Sequence, residues 1–259
     1  MQDHNFDSNM LEKPVSKPLS VLILGGTTEA YQLAEILESQ PINITTSLAG
    51  RTNSPRIPKG NWRIGGFGGV EGLITYLLKE KTNLIIDATH PFARQMTDHA
   101  YEASRITKIP LLRLERPLWK KQDGDTWHSV PNISEALTVI PKGKNILLAI
   151  GRQHIAPFAN FKDSKFWARM IDYPDNIDEL TNLEFIIGYP TDSASEKKLL
   201  IDKKIDLIIC RNSGGNSSYG KVKAARELSI PIIMIERTSL PTTITVHSID
   251  AVLEYLKHI

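Results

Sequence analysis

The run Val21-Leu22-Ile23-Leu24, followed by Gly25-Gly26-Thr27-Thr28-Glu29-Ala30, constrains the fold more than any other stretch of the chain. Four consecutive apolar residues predict a strand covered on both faces, as in a parallel sheet. Two glycines then turn the chain, and Thr28 is placed to cap a helix from Glu29. That helix carries Ala30, Leu33, Ala34 and Leu37 on one face. Strand, glycine turn and helix N-terminus together present backbone N–H groups and a positive dipole end to a phosphate. The spacing departs from G-x-G-x-x-G, with Thr27 and Ala30 in the second and third glycine positions, so a turn without ligand stays open. The two threonine hydroxyls favour the phosphate, and a dinucleotide site is expected at Gly25, Gly26, Thr27 and Thr28.

The next strand, Ile42 to Leu48, sharpens the cofactor. In dinucleotide-binding units of the Rossmann type, an acidic residue about twenty positions past the glycine turn takes the ribose 2′-OH. Here that place holds Ser47, Arg51 and Thr52, and no carboxylate follows until Glu71. A hydroxyl and a guanidinium suit a 2′-phosphate, so NADP(H) is expected over NAD(H). After the short apolar stretch Trp62 to Ile64 come five glycines between Gly65 and Gly72, read as a ligand-facing turn that includes Gly66. Leu84 to Ala88 predicts another buried strand, ending in Thr89-His90-Pro91-Phe92. The carboxyl ends of parallel strands are where open α/β sheets bind ligands. Asp87, Thr89 and His90 are therefore candidates there, with Pro91 fixing the turn and Phe92 placed to cover a nicotinamide.

The second half echoes the first. Asn145 to Ile150 runs into Gly151-Arg152-Gln153, and Asp206 to Cys210 runs into Arg211-Asn212-Ser213-Gly214-Gly215. Ile230 to Arg237 repeats Ile109 to Arg116 almost residue for residue. The expected architecture is α/β: two Rossmann-like lobes with parallel sheets and a cleft between them, residues 19–119 binding NADP(H) and 120–259 contributing to substrate binding. The charged segment Lys120 to Lys144 reads as a hinge. The second lobe lacks a good glycine turn and offers polar and basic strand ends instead. Arg113, Arg116, Arg152, Gln153, Arg169, Arg211, Asn212 and Ser213 are candidate anchors for carboxylates. Ser213 to Asn216, opening a helix, is expected to form an anion nest.

Composition sets outer limits. A net charge of +2 gives no global basic field for nucleic acid, and the single Cys210 excludes a disulfide framework or a multi-cysteine metal cluster. No apolar run is long enough to span a bilayer. Residues 1–18 read as a disordered leader without a signal-peptide core, and the expected location is cytoplasmic.

Taken together, LGGTTEA, SLAGRTNSPRIP, GGFGGVEGL, DATHPFA, LLRLERPLW, IGRQHIAPF and RNSGGNSSYGKVKAARELSIPIIMI resemble the precorrin-6A reductase family of cobalamin biosynthesis, over residues 19–257. The resemblance implies an NADPH-dependent oxidoreductase acting on a CH–CH group, which reduces precorrin-6A to precorrin-6B. It also implies two Rossmann-like lobes and His90 to Ala93 near the nicotinamide. Where the family is expected to carry lysine before Asn-Ser-Gly-Gly, this chain has Arg211. Arginine keeps the charge without releasing a proton. His90, Tyr219, Lys221 or solvent is left as the proton source. The expected partner is the tetrapyrrole, with transient contact to neighbouring pathway enzymes. Alternatives are a cobalt-precorrin-6A reductase using NADH, a transferase with a nucleotide-activated donor, and a non-catalytic NADP(H) sensor.

Overall fold

Among the described residues, two six-stranded sheets form, with every strand pair parallel. The structure, a computed structural model, describes residues 18–50, 55–173, 180 and 182–259. Arg51, Thr52 and the leader reading, apart from Pro18, lie outside those residues.

The first sheet is built from β1 (Leu19–Leu24), α1 (Thr28–Glu38), β2 (Ile42–Leu48), β3 (Asn61–Ile64), α2 (Gly69–Lys79), β4 (Leu84–Asp87), α3 (Arg94–Thr107) and β5 (Leu111–Leu114). The second uses β6 (Trp127–Val130), α4 (Ile133–Thr138), β7 (Asn145–Ala149), β8 (Lys165–Met170), β9 (Leu183–Ile187), α5 (Ser193–Asp202), β10 (Leu207–Arg211), α6 (Gly220–Glu227) and β11 (Ile232–Ile235). The chain ends with β12 (Ile244–Val246) and α7 (Ile249–Leu256).

The apolar runs form the central strands because both of their faces are covered. Alternate residues of β1 go to opposite layers: Val21 and Ile23 pack with Ala30, Leu33, Ala34 and Leu37 of α1, while Leu22 and Leu24 pack with Leu73, Leu77, Ala100 and Ala103 of α2 and α3. Each fully buried leucine contributes roughly 1.5–3 kcal/mol by leaving water. In the second lobe Leu147 and Ile208 face Leu200, Val222 and Ala225. Ile146, Leu148 and Ile209 face the core around Phe158 and Phe166.

The strand orders are β12-β5-β4-β1-β2-β3 and β6-β11-β10-β7-β8-β9. Each is one doubly wound sheet; the outermost strand of the first, β12, comes from the far end of the sequence, and that of the second, β6, is the first strand after the chain leaves the first sheet. After β5 the chain leaves its own sheet and supplies β6 to the second, alongside β11. After β11 it returns to supply β12 to the first, alongside β5. The exchange is symmetric in detail: Glu115 N–H donates to Val246 O, and Glu236 N–H donates to Val130 O, both at 2.9 Å. Two expectations are corrected here. Residues 244–256 pack on the first sheet, with Val252 in its core, and not on the second. Residues 120–144 hold a strand and a helix where a hinge was expected, because Trp127–Val130 is an edge strand with polar residues on its open side.

Candidate active site

The carboxyl ends of β1, β2, β4, β7 and β10 carry most of the residues singled out in the sequence. At β1, Gly25 N–H donates to Ser47 O at 2.9 Å. A side chain at Gly25 would press within 2.9 Å of Thr46 Cγ2, and Gly26 has φ +105° with open space beside it. Helix α1 starts at Thr28, one residue earlier than expected, because Thr27 is its cap: Thr27 Oγ1 accepts from Ala30 N–H at 3.2 Å and donates to Ala88 O at 2.8 Å. The Thr27 hydroxyl is thus spent on the fold. Thr28 is exposed at the first turn, where the leading amides lack intrahelical acceptors.

At β2, buried Ser47 accepts from Arg63 Nη1 at 2.7 Å. Arg63 also donates to Gly65 O and Gly66 O, both at 2.9 Å, and its guanidinium carbon lies 3.9 Å from the centre of the Phe67 ring. The sequence reading passed over Arg63. Its signal was a single basic residue between Trp62 and Ile64, in a strand ending at a glycine turn. That turn must be glycine-rich at its far end, since a Cβ on Gly72 would fall 1.6 Å from Phe67 O.

At β4, Asp87 is 2% exposed and accepts from Thr89 N–H, Thr89 Oγ1 and Thr97 Oγ1 at 3.1, 2.7 and 2.7 Å. It is the peg that holds the Thr89-to-Phe92 turn. His90 Nδ1 accepts from Phe92 N–H at 3.2 Å, which leaves the proton of the neutral ring on Nε2. Burial, and then the positive charges of Arg116, Arg211, Arg237 and Lys221, push its pKa down to about 3. His90 is therefore a neutral hydrogen-bond donor at physiological pH, one of the proton sources left open above. Phe92 packs against the second lobe's core, with Arg211 Cζ 5.2 Å from its ring centre. It serves the contact between lobes and stays partly exposed. Thr27, Glu29, Thr89, Pro91, Leu114 and Arg116 line a small cleft at this junction.

Several expected anchors turn out to be fixed within the protein. Arg113 is 4% exposed and paired with Asp87 and Glu115 at 3.7 and 3.2 Å. Arg116 pairs with Glu29 at 3.2 Å and donates to Ser213 O at 2.8 Å. Asn212 exchanges hydrogen bonds with the Trp119 backbone. Arg169 is buried against Glu196. The expected anion nest at Ser213 to Asn216 is already filled: Gly215 N–H donates to Pro117 O, and α6 begins only at Gly220. Arg237, which the sequence reading did not single out, ties the crossing together. It donates to Glu115 Oε1, Arg116 O, Asn212 O and Ser213 O at 2.8–3.0 Å. These pairings were hidden because a strand-end arginine reads the same whether a carboxylate lies beside it or not.

Arg152, Gln153 and Arg211 remain on the open edge. An Arg211 terminal nitrogen lies 3.5 Å from the Cβ position of Gly151, joining the ends of β7 and β10. Arg152 Nη1 is buried without a hydrogen bond among the described residues. Tyr219, by contrast, is turned into its own lobe, where its hydroxyl accepts from Arg226 at 2.6 Å and Arg226 grips Asp125. Lys221 is 5% exposed, donates to Ser218 O at 2.6 Å and lies 4.9 Å from the Trp119 ring centre. Burial lowers its pKa, with the Cys210 and Glu196 charges opposing.

Residues 20–257 match the family model described as precorrin-6x reductase CbiJ/CobK. A precorrin-6A reductase of Rhodococcus erythropolis is 41% identical over 85% of this chain and 90% of its own length. Another, of Sinorhizobium sp, is 39% identical over 98% of this chain and 96% of its own. A solved structure of CobK precorrin-6A reductase superposes with a TM-score of 0.89 at 36% identity, covering 93% of this chain and 96% of that one. With the fold, the cleft and matches over nearly the whole length in agreement, the chain belongs to the precorrin-6x reductase CbiJ/CobK family, oxidoreductases of cobalamin biosynthesis.

Proposed function

We propose that the chain reduces one double bond of the precorrin-6A macrocycle with NADPH, giving precorrin-6B in the cytoplasm. The observation that carries this reading is the approach of Arg211, at the end of β10, to Phe92, at the end of β4, with 5.2 Å from guanidinium carbon to ring centre. The glycine edge of one sheet and the arginine edge of the other thus share one cleft.

The residues fit a phosphorylated dinucleotide. Gly25 and Gly26 leave no side chain between the edge of β1 and the amides that open α1, where a pyrophosphate would lie. Thr28 would add its hydroxyl. Ser47 and Gly66 would border the adenosine end, and Thr89, His90 and Pro91 the nicotinamide end. NADPH bound there supplies the hydride. The chain's own task is to hold the acceptor carbon in position. Arg152, Gln153 and Arg211 would grip substrate carboxylates, and the buried Nη1 of Arg152 is a donor that a carboxylate would satisfy. Neutral His90 would donate from Nε2. Lys221, whose pKa burial lowers, is kept with solvent as a source of the proton for the neighbouring carbon.

Anaerobic incubation with precorrin-6A and either NADPH or NADH tests the reading. Tetrapyrrole-dependent oxidation of NADPH, with a product heavier by two hydrogens, would support it. Turnover with NADH alone would overturn the cofactor. Binding of NADPH without turnover, on this substrate and on its cobalt complex, would favour the sensor.

A further inference from the structure

We infer that Arg63, at the end of β3, selects NADPH over NADH by gripping the 2′-phosphate together with Ser47, an inference that rests on the NADP(H) reading above. From Ser39 to Val70 the sequence holds no carboxylate, so no acidic side chain from this stretch takes a ribose 2′-OH or repels a phosphate there. Ser47 sits at the end of β2, and its backbone carbonyl receives the Gly25 N–H of the glycine turn. The 2′-position of a dinucleotide on that turn would therefore fall beside it.

The direction of the hydrogen bonds matters. Ser47 Oγ accepts from Arg63 Nη1 at 2.7 Å, so its own proton is left to donate outward. Arg63 spends three of its five N–H groups on Ser47 Oγ, Gly65 O and Gly66 O. Nε–H and one Nη2–H remain, the side-on pair that meets a phosphate through two parallel bonds. Phe67, 3.9 Å from the guanidinium carbon, covers one face of the group and fixes its plane. The partners named are all neutral, so the positive charge is left for an anion. Arg63 is thus oriented before any ligand arrives, and the outlay in side-chain order is already met.

Calorimetric titration with adenosine 2′,5′-bisphosphate and with 5′-AMP separates the possibilities. For Arg63→Gln, affinity for the bisphosphate is expected to fall at least about tenfold, the loss expected for a charge-assisted bond, while 5′-AMP stays within about twofold. Arg63→Lys should recover part of the loss. Ser47→Ala, which keeps the guanidinium, should weaken the bisphosphate alone by a smaller factor, and carries the test should Arg63→Gln not fold. Equal losses for both ligands would reduce Arg63 to a prop of the glycine turn and overturn the proposal. So would unchanged binding of the bisphosphate in Arg63→Gln. A wild-type protein that binds 5′-AMP as tightly as the bisphosphate would bring down the NADP(H) reading itself, a distinct result.

Discussion

The two lobes share one strand order and differ at the turn after their first central strand. In the first, Gly25-Gly26-Thr27 leads into an eleven-residue helix whose N-terminus points at the cleft. In the second, Gly151 leads into two 3-10 turns, Arg152–His154 and Ala156–Asn160, and buried Ile155 between them and Phe158 in the second fill the space against the sheet. A regular helix gives aligned amides and a dipole. The 3-10 turns give neither, and the positive charge at that edge comes from side chains. One topology therefore offers a backbone site on one side of the cleft and a guanidinium site on the other.

The shared crossing is where this comparison breaks most easily. Arg237→Ala would leave Glu115 to Arg113 and Ser213 O to Arg116, take this donor from the Arg116 and Asn212 carbonyls, and should cost about 2–3 kcal/mol of stability. Denaturant unfolding should show both lobes weakened together. If only one lobe loosened, the crossing would not couple them. Next in size, Arg152→Ala should raise the KM for the tetrapyrrole about tenfold or more, the loss of a charge-assisted contact, and leave NADPH affinity unchanged. Gly26→Val should do the reverse. An Arg152 variant with unchanged substrate KM would remove that residue from the site. Smaller still, Thr27→Val deletes the cap of α1 and should lower stability by about 1 kcal/mol, with no counterpart at Gly151, which caps by no side chain.

A further effect is a slope with pH. The His90 pKa is lowered in the folded protein to about 3 from its ordinary 6.5, so the unfolded chain binds the proton first. Stability is therefore lost as pH falls from 6.5 towards 3. His90→Gln should flatten the unfolding free energy measured from pH 7 to 4. A variant as pH-sensitive as the wild type would mean that other groups set the slope.

The sequence revealed what local physics decides. Val21–Leu24, Leu84–Ile86 and Leu207–Cys210 announced themselves because strands covered on both faces must be apolar through their centres. The echo of Ile109–Arg116 in Ile230–Arg237 was legible and marked the crossing, although not its purpose. Edge strands were harder: Trp127–Val130 and Ile244–Val246 expose much of their length and carry no strong period. Which edge each joins depends on pairing with residues more than a hundred positions away. The same distance hid the ion pairs. Arg113 and Arg116 looked like Arg152, and only their neighbours, Asp87, Glu115 and Glu29, tell them apart.

The exchanged strands also bear on the order in which the molecule can be made. Synthesis runs from the N-terminus at about 5–20 residues per second, and N-terminal domains usually close first. Here the glycine turn and five strands of its sheet emerge early, but β5 keeps an open edge until Ile244–Val246 has left the ribosome. The second sheet has β6 in hand before its own centre is synthesised. The lobe begun first is thus the lobe finished last, and a fragment cut after Trp119 would carry the glycine turn on a sheet with an unprotected flank.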